Sequence, residues 1–138
     1  MVSRHNKHNK QLGSQIERTQ ERIYETNEVF TPMELCFEII DAYIPICDLQ
    51  DPESTFIDPA AGNGNFLVAI KEKLLQYHSE QHILDNMLYA IELMEDNHKE
   101  MCERLGVGTD HPHIVCADST KYDYSFGEPQ GVEAFMGP

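Results

Sequence analysis

The chain has 138 residues, a hydrophobic fraction of 41% and a charged fraction of 25%, which suits one compact domain with a buried core rather than two. Its formal net charge is −14, and this argues against a phosphate-binding surface over most of the chain, because DNA contact needs cations facing the phosphates. Five of the ten cations (Arg4, Lys7, Lys10, Arg18, Arg22) fall in residues 1–22 against two acids, Glu17 and Glu21, so that segment carries +3 and the remainder −17.

In chain order, residues 1–13 read as a basic polar tail and 14–26 (SQIERTQERIYET) as a short polar helix weakly anchored by Ile16 and Ile23. Thr31-Pro32-Met33-Glu34 predicts a helix start, with Thr31 as the cap, Pro32 in the first helical position and Glu34 completing a capping box. Leu35, Ile39 and Tyr43 then recur every fourth residue, with Cys36, Ile40 and Ile44 alongside, predicting one apolar face closed by Pro45. An acidic loop follows, then a short strand at 55–57 running into Asp58-Pro59. Residues 66–77 predict a helix with Phe66, Ile70 and Leu74 on one side. Strands are expected at 87–93 and 114–117, separated by a helix over 95–105 that Gly106 stops. Strands alternating with helices imply parallel pairing through right-handed crossovers, with ligands bound at the carboxyl ends of the strands.

No apolar run approaches the length of a membrane span, and Met1 leads into Ser3, Arg4 and His5 rather than an apolar signal region, so a cytoplasmic protein without membrane contact is expected. The four cysteines, Cys36, Cys47, Cys102 and Cys116, show no CxxC spacing and are expected to be reduced, buried, small hydrophobes. His111, His113 and Cys116 lie close in sequence. With no fourth ligand nearby they predict no metal site. Phe126 and Phe135 are expected to make apolar contacts with a fourth strand or a partner.

The segment Asp58-Pro59-Ala60-Ala61-Gly62-Asn63-Gly64-Asn65-Phe66 ends one strand and opens a helix. Gly62 and Gly64 there permit a tight turn and close approach of a ligand to the backbone. Leu67 occupies the third glycine position of the dinucleotide fingerprint, so that fingerprint is not met. The acid before the glycines suits the ammonium end of an amino-acid-bearing cofactor better than a pyrophosphate. Glu92, ending the second strand, is placed to accept hydrogen bonds from both hydroxyls of a ribose. Asp118, followed by Ser119 at the end of the third, is placed to accept one from the amine of an adenine. Either acid alone is an ordinary strand-end or turn residue. Their order after the glycine turn is what makes them candidates.

In that order, Asn27-Glu28-Val29-Phe30-Thr31-Pro32, the glycine string, Ala90-Ile91-Glu92 and Ala117-Asp118-Ser119 resemble the motifs of S-adenosylmethionine-dependent DNA adenine-N6 methyltransferases, in the gamma-type arrangement shared with modification subunits of restriction systems. The resemblance spans roughly residues 27–120. It implies a Rossmann-like three-layer α/β sandwich with a mostly parallel sheet, of which this would be the first half of a methyltransferase domain. It divides the chain into a tail over 1–26 and a cofactor-binding domain over 27–138, incomplete at its C-terminal end. By resemblance, Phe30, Thr31 and Pro32 would flank the methionine part. Asp58, Ala60, Gly62 and Gly64 would line the amino-acid and ribose region, Glu92 would hold the ribose and Asp118 the adenine. Pro59, Phe66, Leu93 and Ser119 complete the expected cofactor-binding set.

The family's Asn/Asp-Pro-Pro-Tyr/Phe motif is not met. Near its expected place the sequence reads Glu133-Ala134-Phe135-Met136-Gly137-Pro138. No catalytic residue is therefore assigned, and the chain alone is expected to be inactive. DNA would be engaged through the complete enzyme or a partner chain, with a second subunit able to supply the missing strands. The alternative is a non-catalytic acidic protein that binds the cofactor or engages DNA-binding proteins. Methylation of RNA or of a protein glutamine shares much of the motif pattern, but the early Phe-Thr-Pro element leans against it.

Overall fold

A computed structural model describes residues 30–128. The expected tail and helix of residues 1–26, the residues Asn27 to Val29, and the terminal segment containing Phe135 lie outside the described residues. The fold is α/β, a three-stranded parallel sheet flanked by helices. Its elements in chain order are α1 (Met33–Tyr43), α2 (Ile46–Gln50), β1 (Phe56–Asp58), α3 (Asn65–Leu74), α4 (Glu80–Asn86), β2 (Leu88–Glu92), α5 (Glu95–Leu105) and β3 (Ile114–Cys116).

The sheet order is β1-β2-β3, with Asp58 level with Ala90 and Glu92 level with Cys116. All three carboxyl ends therefore sit along one margin of the sheet. Residues in register share a face. Phe56, Leu88, Ala90 and Ile114 face the core, where Leu67, Leu74, Ile83, Met101 and Leu105 from the helices meet them. Ile57, Tyr89, Ile91 and Val115 fall on the other face. There Tyr89 stacks on His113, ring centroids 4.3 Å apart, and meets the edge of buried Phe126. Phe126 thus joins an aromatic cluster within a turn segment and does not belong to a strand.

The start of α1 differs from expectation. Pro32 is the N-cap, Met33 is the first helical residue, and no side chain caps the helix. Thr31 instead offers its carbonyl, which accepts from the Asn65 amide at 2.8 Å and from the Cys36 thiol at 3.6 Å. The buried face is the Cys36–Ile40 side of the expected one, joined by Met33. Met33, Cys36 and Ile40 are buried, while Leu35 is 44% and Tyr43 80% exposed. Two apolar stripes run side by side on α1, and the ties at its start, Thr31 to Asn65 and Met33 to Arg104, turn the Met33 stripe inward.

The expected acidic loop contains the short helix α2, begun by Pro45 in the position that suits its fixed φ. Helix α3 ends at Leu74, and α4, which sequence periodicity did not suggest, follows from a Ser79 cap that accepts from the His82 amide. Only two cysteines are buried, Cys36 and Cys102. Cys47 and Cys116 are exposed, which corrects the expectation that all four fill the core.

Candidate functional site

The glycine turn leaves β1 at Asp58 and enters α3 at Asn65, and backbone bonds hold it to the end of β2. The Ala61 amide donates to the Ile91 carbonyl at 3.0 Å, and the Gly64 amide to the Ala61 carbonyl at 2.9 Å. Gly62 and Gly64 have φ of +58° and +89°, the left-handed region that favours glycine. Each also makes room for a side chain of this protein. A Cβ on Gly62 would lie 3.1 Å from the Phe30 ring, and one on Gly64 only 2.7 Å from Met101 Cγ.

Glu92 is the centre of the arrangement. It is 8% exposed, and both carboxylate oxygens are engaged. Oε1 accepts from the Gly62 amide at 2.9 Å, and Oε2 accepts from the Met94 amide at 3.0 Å and the Asn97 side chain at 3.2 Å. One carboxylate thus ties together the glycine turn, the end of β2 and the first turn of α5.

Among the described residues Asp58 accepts only a local bond at Oδ1, from the Ala60 amide at 3.1 Å. Burial pushes its pKa up; the Ala60 bond opposes this and the nearby negative Glu92 adds to it. A cation bound between these two acids would relieve both effects, since an opposite charge favours the ionised carboxylate.

Six of the expected residues (Phe30, Thr31, Asp58, Ala60, Gly62 and Phe66) line one cleft of about 60 Å³, joined by Ala61, Asn63 and Asn65. Gly64 packs behind it on Met101, Pro32 caps α1, and Pro59 is exposed. Leu93, 63% exposed, lines a neighbouring open groove with Met94, Asp96 and Lys99.

Asp118 and Ser119 lie beyond β3, whose end is set beside β2 by a bond from the Ala117 amide to the Glu92 carbonyl at 3.0 Å. Asp118 Oδ1 accepts from the Thr120 amide and hydroxyl at 3.0 and 2.7 Å, a local turn whose bonds hold its pKa down. The Ser119 carbonyl accepts from the Tyr124 hydroxyl at 2.9 Å.

Sequence reasoning missed Asn65, Asn97 and Arg104. Arg104 Nη1 donates to the Asn63 carbonyl and to Asn65 Oδ1, both at 2.8 Å, and Nη2 approaches Met33 Sδ at 3.7 Å. Asn97, Met101 and Arg104 sit at i, i+4 and i+7 on α5. That helical spacing was a readable signal of a shared face, although the polar ends of the stripe resemble solvated residues.

Burial pushes the Cys36 thiol up to about 12 and the Cys102 thiol up to about 11, so both stay protonated at neutral pH. Cys116 donates to the Leu93 carbonyl at 3.7 Å, and His113 is stacked on Tyr89. Among the described residues no cluster of three or more His, Cys, Asp or Glu side chains could hold a metal ion. None of the described helices is long and apolar enough to cross a membrane.

No protein-family model matches this chain, and no curated relative does either. Among solved structures it is similar to a protein described as a modification subunit of a proposed type I restriction enzyme from Vibrio vulnificus YJ016. The identity is 22%, the TM-score is 0.45, and the match covers 62% of this chain and 19% of that one. The chain therefore spans about a fifth of the length of that subunit. The likeness is one of fold.

Proposed function

We propose that this domain binds S-adenosylmethionine, as the cofactor-binding part of a DNA adenine-N6 methyltransferase. The observation that carries the reading is the partly buried Asp58 carboxylate beside a left-handed glycine turn that Glu92 ties to the neighbouring strand end. Among the described residues Asp58 has one oxygen without a hydrogen-bond partner, suited to the cofactor's ammonium. A carboxylate has about four acceptor sites, and the chain's own donors fill three of those on Glu92. Glu92 can therefore accept one ribose hydroxyl as it stands, and a second only if Gly62, Met94 or Asn97 releases its bond. Leu93 would offer its exposed side chain to the adenine ring, and Asp118, beyond β3, its acceptor oxygens to the amine.

These carboxylates are acceptors, suited to the cofactor's ammonium and hydroxyl donors. The cleft beside Asp58 measures about 60 Å³ and the Phe30 ring closes over Gly62, so a methionyl group enters when that ring moves off Gly62. When bound, the cofactor supplies a methyl group already activated by its positive sulfur. This chain's residues bind and orient it, and alignment of reactants is the main demand of such a transfer. Residues that would receive the target amine are not among those assigned here, so methylation of DNA, with the base extruded from the duplex, is proposed for the whole enzyme. The chain alone binds without transferring. Its net charge of −14 favours the second reading, a non-catalytic cofactor-binding or interaction protein, to the same degree that it leaves DNA contact to other surfaces.

Calorimetric titration with S-adenosylmethionine tests the reading, beside a variant carrying Asp58→Ala and Gly62→Val whose folding is checked by circular dichroism. Saturable binding that the variant loses supports it. A folded wild-type chain that takes up no cofactor at millimolar concentration overturns it.

A further inference from the structure

We infer that Arg104 is a positioning residue for the cleft, acting through Asn65 to hold the Phe30–Thr31 wall against the glycine turn. Arg104 lies in the last turn of α5 and reaches the cleft through the residues that line it, donating to the Asn63 carbonyl and to the Asn65 side chain. Its guanidinium is sufficiently buried for desolvation to lower its pKa. A buried cation that only packed would be a poor use of the position, because removing charge from water costs several kcal/mol unless hydrogen bonds replace it. Here the replacements are specific. One nitrogen bridges the Asn63 carbonyl and Asn65 Oδ1, both inside the turn.

The bond to Oδ1 also fixes which way the Asn65 amide points. A guanidinium only donates, so the amide oxygen must face it and the amide nitrogen must face the opposite way. The opposite way is the Thr31 carbonyl, 2.8 Å from Nδ2. Asn65 is 4% exposed, so water cannot readily substitute. The result is a relay from α5 through the first residue of α3 to the residue preceding Pro32. The cleft wall at Phe30–Thr31 and the cleft floor at 60–65 are thereby held as one unit, although about 30 residues separate them in sequence. Met33, beneath the second guanidinium nitrogen, gives the wall a further point of contact with Arg104.

Asn65→Asp separates the two halves of this relay. The carboxylate accepts from Arg104 more strongly than the amide did, and an acid in the first helical position of α3 favours the helix dipole, so the fold is retained. It cannot donate to the Thr31 carbonyl, and it places one oxygen against another. Amide hydrogen exchange of the ligand-free chain reads the consequence directly. Exchange across residues 30–36 is expected to rise at least fivefold in Asn65→Asp and in Arg104→Met, with residues 88–92 unchanged, and Arg104→Lys recovering part of the protection. Unaltered exchange at 30–36 in Asn65→Asp overturns the inference, and that variant decides the matter even if Arg104→Met fails to fold.

The affinity measurement rests on the proposed cofactor reading and is kept separate from the exchange measurement for that reason. S-adenosylmethionine carries net positive charge, so an added carboxylate alone would tighten binding. At least tenfold weaker binding in Asn65→Asp therefore reports lost positioning, and equal or tighter binding counts against it. If the wild-type chain binds no cofactor but exchange at 30–36 still rises, the function fails and the positioning role stands.

Discussion

Glu92 and Asp118 occupy equivalent places in the sequence pattern, each an acid at the carboxyl end of a strand, and the fold treats them in opposite ways. Glu92 accepts three hydrogen bonds from two other segments and is nearly closed off from water. Among the described residues Asp118 accepts side-chain bonds only from Thr120, two residues away. The difference follows from what surrounds each strand end. β2 lies in the middle of the sheet, so its end is met by the glycine turn on one side and by α5 above it. Among the described residues β3 pairs on one side only, and its end runs into a turn segment in which Tyr124 and Phe126 have φ of +58° and +47°. A carboxylate at the central position becomes a structural tie. The same group at the margin shapes its own turn.

The largest expected effect breaks that contrast directly. Glu92→Ala strands the Gly62 and Met94 amides in a site that water reaches poorly and takes one acceptor from the Asn97 side chain. Breaking a buried charged network of this kind costs about 4 kcal/mol, read as a lower urea midpoint with the m-value unchanged. Asp118→Ala, which removes one local turn, is expected to leave the midpoint at the wild-type value and, on the proposed reading, to weaken S-adenosylmethionine binding. Equal destabilisation by the two substitutions would show that the bonds of Glu92 do not tie the turn to β2 and α5.

A smaller effect sharpens the comparison at two glycines in the left-handed region. Gly64, at φ +89°, belongs to the tied turn, and Gly127, at φ +84°, to the segment after β3. Alanine at either pays the left-handed backbone cost of about 1 kcal/mol. At Gly64 the new methyl also meets Met101 Cγ at 2.7 Å within the core, whereas at Gly127 it meets Pro112 Cβ at 3.1 Å near the surface. Gly64→Ala is therefore expected to cost about 2 kcal/mol, the larger of the two, since overpacking adds to backbone strain. Met101→Ala in the Gly64→Ala background should recover the steric share, a non-additivity that a double-mutant cycle in urea measures.

The same contrast explains how much was legible in the sequence. The three strands, the glycine turn and helix α5 are encoded locally, by short apolar runs, a positive-φ pair of glycines and a terminal Gly106, and each is found within a residue or two of its expected place. Which side of the expected α1 face turns inward was not legible, because Leu35-Ile39-Tyr43 and Cys36-Ile40-Ile44 are equally good apolar stripes. The choice between them is made by Asn65 and Arg104, which lie more than 30 residues away. Nor was the engagement of Glu92 legible. Two of its three partners are backbone amides, which have no signature in the sequence, and the bond to Gly62 spans 30 residues. Acid identity and strand-end position are local; hydrogen-bond occupancy is a property of the assembled fold.

The smallest expected effect concerns Asp58, which stands between the two extremes, half-buried and with one local donor. Its folded-state pKa lies above the ordinary 3.8, through burial first and then the Glu92 charge. The folded chain therefore holds the Asp58 proton more readily than the unfolded chain does. Its contribution to stability is most favourable below pH 3.8 and declines as pH rises from 3.8 through the raised pKa. Asp58→Asn keeps an acceptor for the Ala60 amide and removes the ionisation, so it is expected to unfold at a slightly higher temperature than wild type at pH 7, with the difference shrinking as pH falls toward 3.8. Cofactor affinity should move the other way. An ammonium group favours the ionised carboxylate, so wild-type binding strengthens with pH across the same window, while binding by Asp58→Asn is weaker at neutral pH and flat across it. Stability and affinity with opposite pH slopes at one carboxylate would mark Asp58 as a group held at a cost to the fold for the sake of a cationic ligand. Parallel slopes would make it a structural acid like Glu92, and would remove the electrostatic basis for placing an ammonium there.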